Sequence, residues 1–192
     1  YKRINKISIK QLSKDGQKVV GSKINLSCDC LGVSGGWTPA VHLFTQSGGK
    51  LKFRDEDQTF IPNTYPSDQL SIGSCNGDLT LDKILKDIPN SLKEFLNIKN
   101  TEYENLEILS SFNKSKRNIW LLPSDKVLGK TKSFVDYQND ATAKDIKLAL
   151  REGFRSIEHV KRYTTTGMGT DQGKLGNMHA LGIISETAGA KM

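Results

Sequence analysis

Residues 134–174, FVDYQNDATAKDIKLALREGFRSIEHVKRYTTTGMGTDQGK, decide the fold of the C-terminal part of the chain. The run TAKD at residues 142–145 resembles the capping box that opens a helix, with Asp in place of the usual Glu or Gln. Gly153 ends this helix and Ser156 caps a second one. A loop of threonines and glycines follows at residues 164–173. The stretch therefore predicts short helices around a glycine-rich loop.

A third helix after the loop completes a small helical module. Apolar residues recur at helical spacing in all three segments, so each helix is expected to bury one face. The residues expected to face inward are Ile146, Ala149, Leu150, Ile157, Val160, Leu175, Met178, Leu181 and Ile184.

The glycine-rich loop is a candidate anion site. Glycines at 167, 169 and 173 allow backbone amides to approach a ligand, and the loop is expected to open the third helix, whose N-terminal amides favour negative charge. Arginine and lysine together suit a terminal phosphate group. Solvated basic side chains beside a simple turn explain the same residues equally well. The candidates are Lys161, Arg162, Thr164, Thr165, Thr166, Gln172 and Lys174, of which the last two are expected to begin the helix.

Two hairpins are predicted in the first part of the chain. Residues 6–12 alternate apolar and polar side chains, a turn follows at Asp15-Gly16, and the apolar pattern resumes at residues 19–20. Residues 50–53 and 59–62 flank a polar turn in the same way. Between them, residues 24–36 predict strands, the second of them buried and parallel, and Thr38-Pro39 predicts a helix over residues 37–44.

A second candidate ligand contact lies at residues 69–77, QLSIGSCNG, where a predicted strand breaks into a glycine turn before a helix. A helix N-terminus after such a turn is suited to the phosphate of a cofactor, although many α/β proteins contain this arrangement without using it. The candidate residues are Gly73, Ser74, Leu79 and Thr80.

The composition and the other motifs exclude several classes of protein. The net charge is +7, but exposed aromatics do not alternate with the basic residues, which argues against nucleic-acid binding. No apolar run approaches the roughly 20 residues of a membrane helix, and a secretory signal is not expected. Cys28 and Cys30 lack a second ligand pair, so buried thiols are expected in a reduced, cytoplasmic protein. The histidines form no catalytic triad or metal set. Strand-like sequence directly after Tyr1 favours a fragment.

Two stretches carry a resemblance to a known family. Residues 33–51, VSGGWTPAVHLFTQSGGKL, and residues 134–174 closely resemble the alpha subunit of heterotetrameric sarcosine oxidase. The resemblance implies oxidative demethylation of sarcosine to glycine with formation of hydrogen peroxide and transfer of the one-carbon unit to tetrahydrofolate. It implies NAD in the intact alpha subunit, beta, gamma and delta subunits as partners, and flavin held mainly in the beta subunit.

The resemblance also implies a fold and a division of the chain. The fold class is α/β (α+β), with the trailing part of an FAD/NAD(P)-binding-like domain at residues 1–88, a connector at 89–132 and a helical module at 133–192. The connector is expected to hold short helices, a polar loop at 110–117 and a buried strand at 118–123. No G-x-G-x-x-G fingerprint follows a first strand, and residues 1–192 are not expected to include a folate domain, so the chain alone is expected to be inactive. The turn at 72–77 is expected to face NAD.

The helical module resembles the bacterioferritin-associated ferredoxin-like domain, which holds a [2Fe–2S] cluster. The cysteine positions of that pattern fall on Asp136, Gln138, Asp171 and Gly176, and none of these is a thiol. Because such a cluster needs four cysteines or close substitutes, we expect the scaffold without an iron–sulfur cluster. The loop is instead expected to hold the phosphate of FMN between alpha and beta subunits.

Two other interpretations stay open at this point. The chain is alternatively a stand-alone, degenerate ferredoxin-like interaction module, or a subunit of a related amine or opine dehydrogenase. Relatives of the last kind usually keep the cluster cysteines. Co-purification with a flavin-carrying beta subunit would favour the sarcosine oxidase interpretation, and a stable monomer that binds no flavin subunit or nucleotide would favour the stand-alone module.

Overall fold

The computed structural model describes residues 3–66, 68–98, 119–126 and 128–192. The chain divides into two compact units, one formed by Tyr1–Val33 with Ile119–Met192 and the other by Ser34–Asn118. The predicted domain boundaries differ from these two units, because the prediction places the first hairpin in one domain with all residues up to 88. The assignment of the predicted segments to known domain families stays a prediction.

Strands and helices alternate along the chain in a mixed α/β order. The strands of the described residues form three separate two-stranded antiparallel sheets, β1–β2, β3–β4 and β5–β6. The elements are β1 (Lys6–Leu12), β2 (Val19–Ser27), α1 (His42–Gln46), β3 (Lys50–Arg54), β4 (Thr59–Thr64), α2 (Leu81–Leu96), β5 (Phe134–Asp136), β6 (Ala141–Thr142), α3 (Ala143–Arg151), α4 (Ile157–Thr164) and α5 (Asn177–Ala188), with short 3-10 turns at Gly73–Asn76 and Leu128–Lys130.

Both predicted hairpins are confirmed. In the first, Ile9 of β1 pairs with Ile24 of β2, and the register shifts between Ile9 and Gln11. In the second, the rings of Phe53 and Phe60 are cross-strand neighbours with centroids 5.2 Å apart. Such aromatic pairs stabilise a two-stranded sheet beyond its backbone hydrogen bonds.

The predicted buried parallel strand near residues 30–36 is wrong. β2 ends at Ser27, and residues 28–41 contain no regular element. Val33 is 77% exposed, since no parallel neighbour lies beside it among the described residues. The predicted burial of the thiols is also wrong, because Cys30 and Cys75 are exposed and Cys28 is half-buried.

Two helix predictions need correction in the Ser34–Asn118 unit. The Val41 N–H donates to the Pro39 carbonyl in a tight turn, so α1 begins at His42 instead of residue 37. The apolar runs predicted as two helices around residue 90 form one helix, α2, which contains Pro89. Thr80 is at its N-cap but makes no side-chain capping bond.

The predicted strands at 69–72 and 118–123 do not form among the described residues. The second segment instead packs against helix α5, where a Cβ built on Gly182 would lie 2.1 Å from the Trp120 ring. Leu122 is 67% exposed. The part of the expected connector at residues 99–118, including the polar loop at 110–117, lies outside the described residues.

The predicted helical module is confirmed. The Asp145 N–H donates to Thr142 Oγ1, and the Asp145 carboxylate accepts from the Thr142 N–H at 2.9 Å, so the capping box forms. Ser156 occupies the N-cap of α4 without a side-chain bond. Leu175 lies before α5 and is 74% exposed, which corrects its predicted inward position. The buried core comprises Val135, Ala143, Ile146, Ala149, Val160, Ala180, Ile183 and Ile184.

None of the helices in the described part of the chain has the length and apolarity required to cross a membrane.

Candidate functional site

The predicted ligand residues fall into two groups, one in each compact unit. Gly73, Ser74, Leu79 and Thr80 belong to the Ser34–Asn118 unit, and residues 161–174 belong to the other. Each group is therefore a separate candidate site.

The glycine turn of the first group lies beside a cleft. Gly73 opens a 3-10 turn with a left-handed φ of 67°, and Gly77 ends it with φ 83°. Ser74 is exposed, and Leu79 and Thr80 are half-buried in the segment that leads into α2. Of the four candidates only Gly73 lines the cleft, whose volume is about 290 Å³.

The cleft is lined by polar and apolar side chains from the turn and from α2. The contributing residues are Tyr65, Leu70, Ser71, Ile72, Gly73, Asn76, Asp78, Asp87, Ile88, Asn90 and Ser91.

Ion pairs fix the turn and its surroundings. Lys83 donates to the buried Asp78 carboxylate at 2.5 Å, and this hydrogen bond raises the pKa of Lys83 against the opposing effect of burial. The Arg54 guanidinium binds Asp57 and also donates to the Gly77 carbonyl at 3.0 Å. The hydrogen bond to Asp57 raises the pKa of Arg54. The β3–β4 hairpin therefore holds the glycine turn in place.

The second group begins in the last turn of α4. Lys161 lies 3.6 Å from the Glu158 carboxylate in a helical ion pair, and only 21% of its side chain is exposed. Arg162 is exposed. Positive charges in the last turn of a helix interact favourably with its negative end, so both residues also stabilise α4.

The hydroxyls of the three threonines at residues 164–166, at the end of α4 and directly after it, all have partners inside the module. Thr164 Oγ1 donates to the Val160 carbonyl at 2.7 Å and lies 2.7 Å from Thr166 Oγ1. Thr166 is fully buried, so its hydroxyl cannot meet an external ligand in this conformation. Thr165 is exposed, and its hydroxyl donates to the Thr164 carbonyl at 2.6 Å.

Gln172 and Lys174 do not open helix α5, which corrects the predicted helix start. α5 begins at Asn177 with Gly176 as its N-cap, and residues 171–176 form turns. A Cβ at Gly176 would lie 2.7 Å from the Val135 carbonyl oxygen, so the helix starts where the chain passes close to β5. Gln172 and Lys174 are exposed, and Gln172 has a left-handed φ of 53°.

Asp136 is a site residue whose role the sequence did not reveal. Its carboxylate is 6% exposed and accepts the backbone N–H groups of Gly167 at 2.7 Å, Gln138 at 2.8 Å and Asn139 at 3.0 Å. Burial raises the pKa of Asp136, but these amide hydrogen bonds outweigh burial and hold the pKa below its ordinary value. An Asp that ends a strand before a turn often accepts the N–H two residues later, and this signal was available from the sequence.

Gln138 binds the next part of the same loop. Its Oε1 accepts the Thr170 N–H at 2.6 Å and the Thr170 hydroxyl at 2.8 Å. Asn139 adds a third link, since its side-chain amide donates to the Thr165 carbonyl at 3.1 Å. Residues 136–139 therefore hold the loop through three side chains.

Asn177 lies inside the loop. Gly167 and Gly173 both have left-handed φ values, 73° and 74°, and a Cβ on either would lie within 2.2 Å of the Asn177 side chain. The Asn177 Oδ1 is buried and has no hydrogen-bond partner in the described part of the chain. The two glycines are therefore required by close approach to this side chain.

The four positions that match cysteines in the ferredoxin-like pattern do not fit an iron–sulfur cluster. The Asp136 and Gln138 oxygens accept loop hydrogen bonds, and the Asp171 carboxylate accepts the N–H groups of Gly173 and Leu175. Gly176 has no side chain. In the ranges that the structure describes, no three His, Cys, Asp or Glu side chains are grouped to hold a metal ion.

Comparisons with known proteins agree with the predicted resemblance. A family model described as the sarcosine oxidase A3 domain matches residues 130–192. The chain is 32% identical to sarcosine oxidase subunit alpha of Rhizobium meliloti (strain 1021) over 180 residues, which is 88% of this chain and 17% of that protein. It is 29% identical to the subunit alpha of Corynebacterium sp. (strain P-1) over 198 residues, 97% of this chain and 20% of that protein. The chain therefore spans about a fifth or less of the length of these relatives.

A solved structure has a related fold. L-proline dehydrogenase from P. horikoshii superposes with a TM-score of 0.52 and 20% identity, over 91% of this chain and 37% of that one. The likeness supports the mixed α/β fold of the chain. The resemblance inferred from residues 33–51 and 134–174 is confirmed by the sequence relatives.

Proposed function

This chain is a relative of the alpha subunit of sarcosine oxidase, and on that premise we propose that it forms the cofactor-binding and subunit-docking part of such a subunit. The reaction that it serves is the oxidative demethylation of sarcosine to glycine, with hydrogen peroxide as a product and the one-carbon unit passed to tetrahydrofolate. The observation that carries the proposal is the family match over residues 130–192, the region that holds the glycine-rich loop.

We propose that the chain contributes no catalytic residue to this reaction. Its partners are the beta, gamma and delta subunits of a cytoplasmic heterotetramer, and the flavin is held mainly by the beta subunit. The helical module is a ferredoxin-like scaffold that docks without an iron–sulfur cluster. The purified module is therefore expected to be colourless and free of iron, which metal analysis of the protein tests directly.

The first cofactor contact in the proposal is NAD at the glycine turn. Gly73, Ser74, Leu79 and Thr80 form it in the intact subunit, with the cleft beside Gly73 accepting part of the nucleotide. Small-molecule sites usually measure roughly 300–1,000 Å³, and the cleft of about 290 Å³ suits only a part of a dinucleotide. Residues from the rest of the subunit complete the site.

The second contact is the phosphate of FMN at the glycine-rich loop. Lys161 and Arg162 supply positive charge at the end of α4, and Lys174 supplies it after the loop. Thr164, Thr165 and Thr166 shape the turn, and Gln172 is exposed. The exposed Arg162 is the strongest candidate for a phosphate contact, because a guanidinium can bind a phosphate with two hydrogen bonds.

An arginine substitution in the assembled complex tests the second contact. A charge-assisted hydrogen bond contributes on the order of 1.5–3 kcal/mol, so Arg162→Ala should weaken FMN retention roughly tenfold or more. Arg155→Ala is the matched control, since Arg155 is also an exposed arginine of the helical module. Unchanged flavin content and affinity in the Arg162 variant would remove the phosphate site from the proposal.

Assays without partners test the docking role. The chain alone should produce no sarcosine-dependent peroxide, and it should co-purify with a flavin-carrying beta subunit when the two are produced together. Turnover by the isolated chain would contradict the proposed division of labour. A chain that binds neither a flavin subunit nor a nucleotide would favour a stand-alone interaction module.

A further inference from the structure

Two side chains fix both ends of the short loop segment from residue 167 to residue 170. Asp136 accepts the Gly167 N–H at 2.7 Å, and Gln138 accepts both the N–H and the hydroxyl of Thr170, at 2.6 and 2.8 Å. Asp136 is the last residue of β5, which is hydrogen-bonded to β6. The segment is therefore attached to a strand on one side and to the turn after that strand on the other.

These contacts determine which amides of the loop are used internally. The N–H groups of Gly167 and Thr170 donate to side chains, and the Met168 N–H donates to the Thr165 carbonyl at 3.3 Å. Within the described residues, the Gly169 N–H donates no hydrogen bond. One amide in the middle of a doubly fixed segment thus remains for an external acceptor.

The space around Gly169 supports the same arrangement. A Cβ at this position would lie 2.3 Å from Gln138 Oε1, the atom that also accepts the two Thr170 hydrogen bonds. A side chain at residue 169 would therefore displace Gln138 and release Thr170. The glycine is required by the fixed segment itself, because only glycine lets Gln138 pack directly against the backbone.

We infer that Asp136 and Gln138 are positioning residues, which hold residues 167–170 so that the Gly169 amide meets a phosphate oxygen. The inference rests on the proposed anion site and names the residues that arrange it. A donor that is already fixed before the ligand arrives loses little conformational entropy on binding, so loss of the fixing contacts should weaken phosphate binding. Neither Asp136 nor Gln138 needs to touch the phosphate.

Gln138 is the better residue for the test. Asp136 is charged, and its removal would change the electrostatic potential at the loop as well as its geometry. Gln138→Met keeps a side chain of similar length against Gly169 and removes the acceptor for Thr170 without changing the charge. Gln17→Met is the matched control, because Gln17 is an exposed glutamine on the first hairpin, outside both candidate sites.

The experiment is a titration of the full chain, labelled with ¹⁵N, with inorganic phosphate at constant ionic strength. We expect the Gly169 amide resonance to shift with phosphate in the wild type, a Kd at least about fivefold higher in Gln138→Met, and no change in Gln17→Met. Gln138→Leu, which also removes the acceptor without changing the charge, is measured in parallel and takes the place of Gln138→Met if that variant does not fold.

A second measurement separates positioning from a general structural effect. In the complex with a flavin-carrying subunit, the ratio of FMN affinity to riboflavin affinity reports the phosphate contact alone. We expect this ratio to fall in Gln138→Met, whereas general loosening of the module would lower both affinities together.

The outcomes distinguish the inference from the function on which it rests. If the wild type binds phosphate and neither variant changes the phosphate affinity or the ratio of FMN affinity to riboflavin affinity, the positioning role is overturned. The anion site would stand in that case. A wild type whose loop amides do not respond to phosphate, and which binds FMN no better than riboflavin, would overturn the anion site and the positioning role together.

Discussion

Replacement of Asp136 by Asn changes one carboxylate oxygen to an NH₂ group and should strongly destabilise the helical module. Two of the backbone amides that bind Asp136, those of Gln138 and Asn139, donate to Oδ1, and the Gly167 amide donates to Oδ2 at 2.7 Å. An asparagine keeps the first oxygen but places an NH₂ group opposite the Gly167 N–H. Two donors then face each other in a site that is 6% exposed.

The expected cost has two parts. A buried donor left without an acceptor costs about 1–3 kcal/mol, and hydrogen bonds to a charged acceptor contribute more than those to a neutral one. The sum for Asp136→Asn is about 2–4 kcal/mol in the free energy of unfolding. This is a large fraction of the 5–15 kcal/mol that is typical of a folded domain.

The loss of unfolding free energy in Asp136→Asn should become smaller at low pH. The pKa of Asp136 in the folded chain lies below its ordinary value of 3.8, because amide hydrogen bonds outweigh the effect of burial. The stability that its ionised form contributes is therefore complete above pH 3.8 and is lost as pH falls through the folded pKa. The difference in the free energy of unfolding between wild type and Asp136→Asn should be constant near neutral pH and should become smaller below pH 3.8.

Urea unfolding followed by tryptophan fluorescence measures this difference. Trp120 packs against Gly182 of the same compact unit, and the 79% exposed Trp37 is replaced by Phe in all proteins compared. The control is Asp125→Asn, which removes an ion pair with Lys10 in which 58% of the Asp125 side chain is exposed, and it should cost about 1 kcal/mol or less. A cost below about 0.5 kcal/mol for Asp136→Asn, or a difference that does not narrow at low pH, would refute the reasoning.

Two further substitutions test the packing and capping of the same module. Gly182→Ala should destabilise it by about 1–3 kcal/mol in chemical denaturation, because the new Cβ would lie 2.1 Å from the Trp120 ring, whereas Gly32→Ala, with no atom within 4 Å, should be nearly neutral. Thr142→Ala should cost about 0.5–2 kcal/mol by loss of the capping box of α3, and Ser156→Ala, which removes no side-chain capping bond, should cost much less in the same assay.

The sequence predicted the elements that depend on neighbouring residues. The capping box at Thr142 and both early hairpins depend on contacts within a short stretch of chain, and all three were predicted. The strands expected near residues 30–36 and 118–123 depended on partners distant in sequence. An apolar run alone does not specify such a partner, and the Trp120 segment packs against a helix instead.

The candidate site was predicted less completely, for a related reason. The threonines and glycines marked the loop, but the acceptors of the Gly167 and Thr170 amides are Asp136 and Gln138, about thirty residues earlier in the chain. The buried Thr166 shows the same limit, because its neighbours alone gave no sign that its hydroxyl is used inside the module.

At the four positions that match cluster cysteines in the resembled pattern, this chain has residues that stabilise the loop. In the resembled pattern these positions supply the thiolates that bind iron. Here three of them supply oxygen atoms that accept hydrogen bonds from loop amides, and the fourth is a glycine that allows close contact with β5. Alanine at the same positions would remove the acceptors and leave the amides unpaired, at about 1–3 kcal/mol for each buried one. Polar side chains are therefore required at these positions for the loop to keep its conformation, whether or not a ligand is bound. The amides that they satisfy are those of Gln138, Asn139, Gly167, Thr170, Gly173 and Leu175.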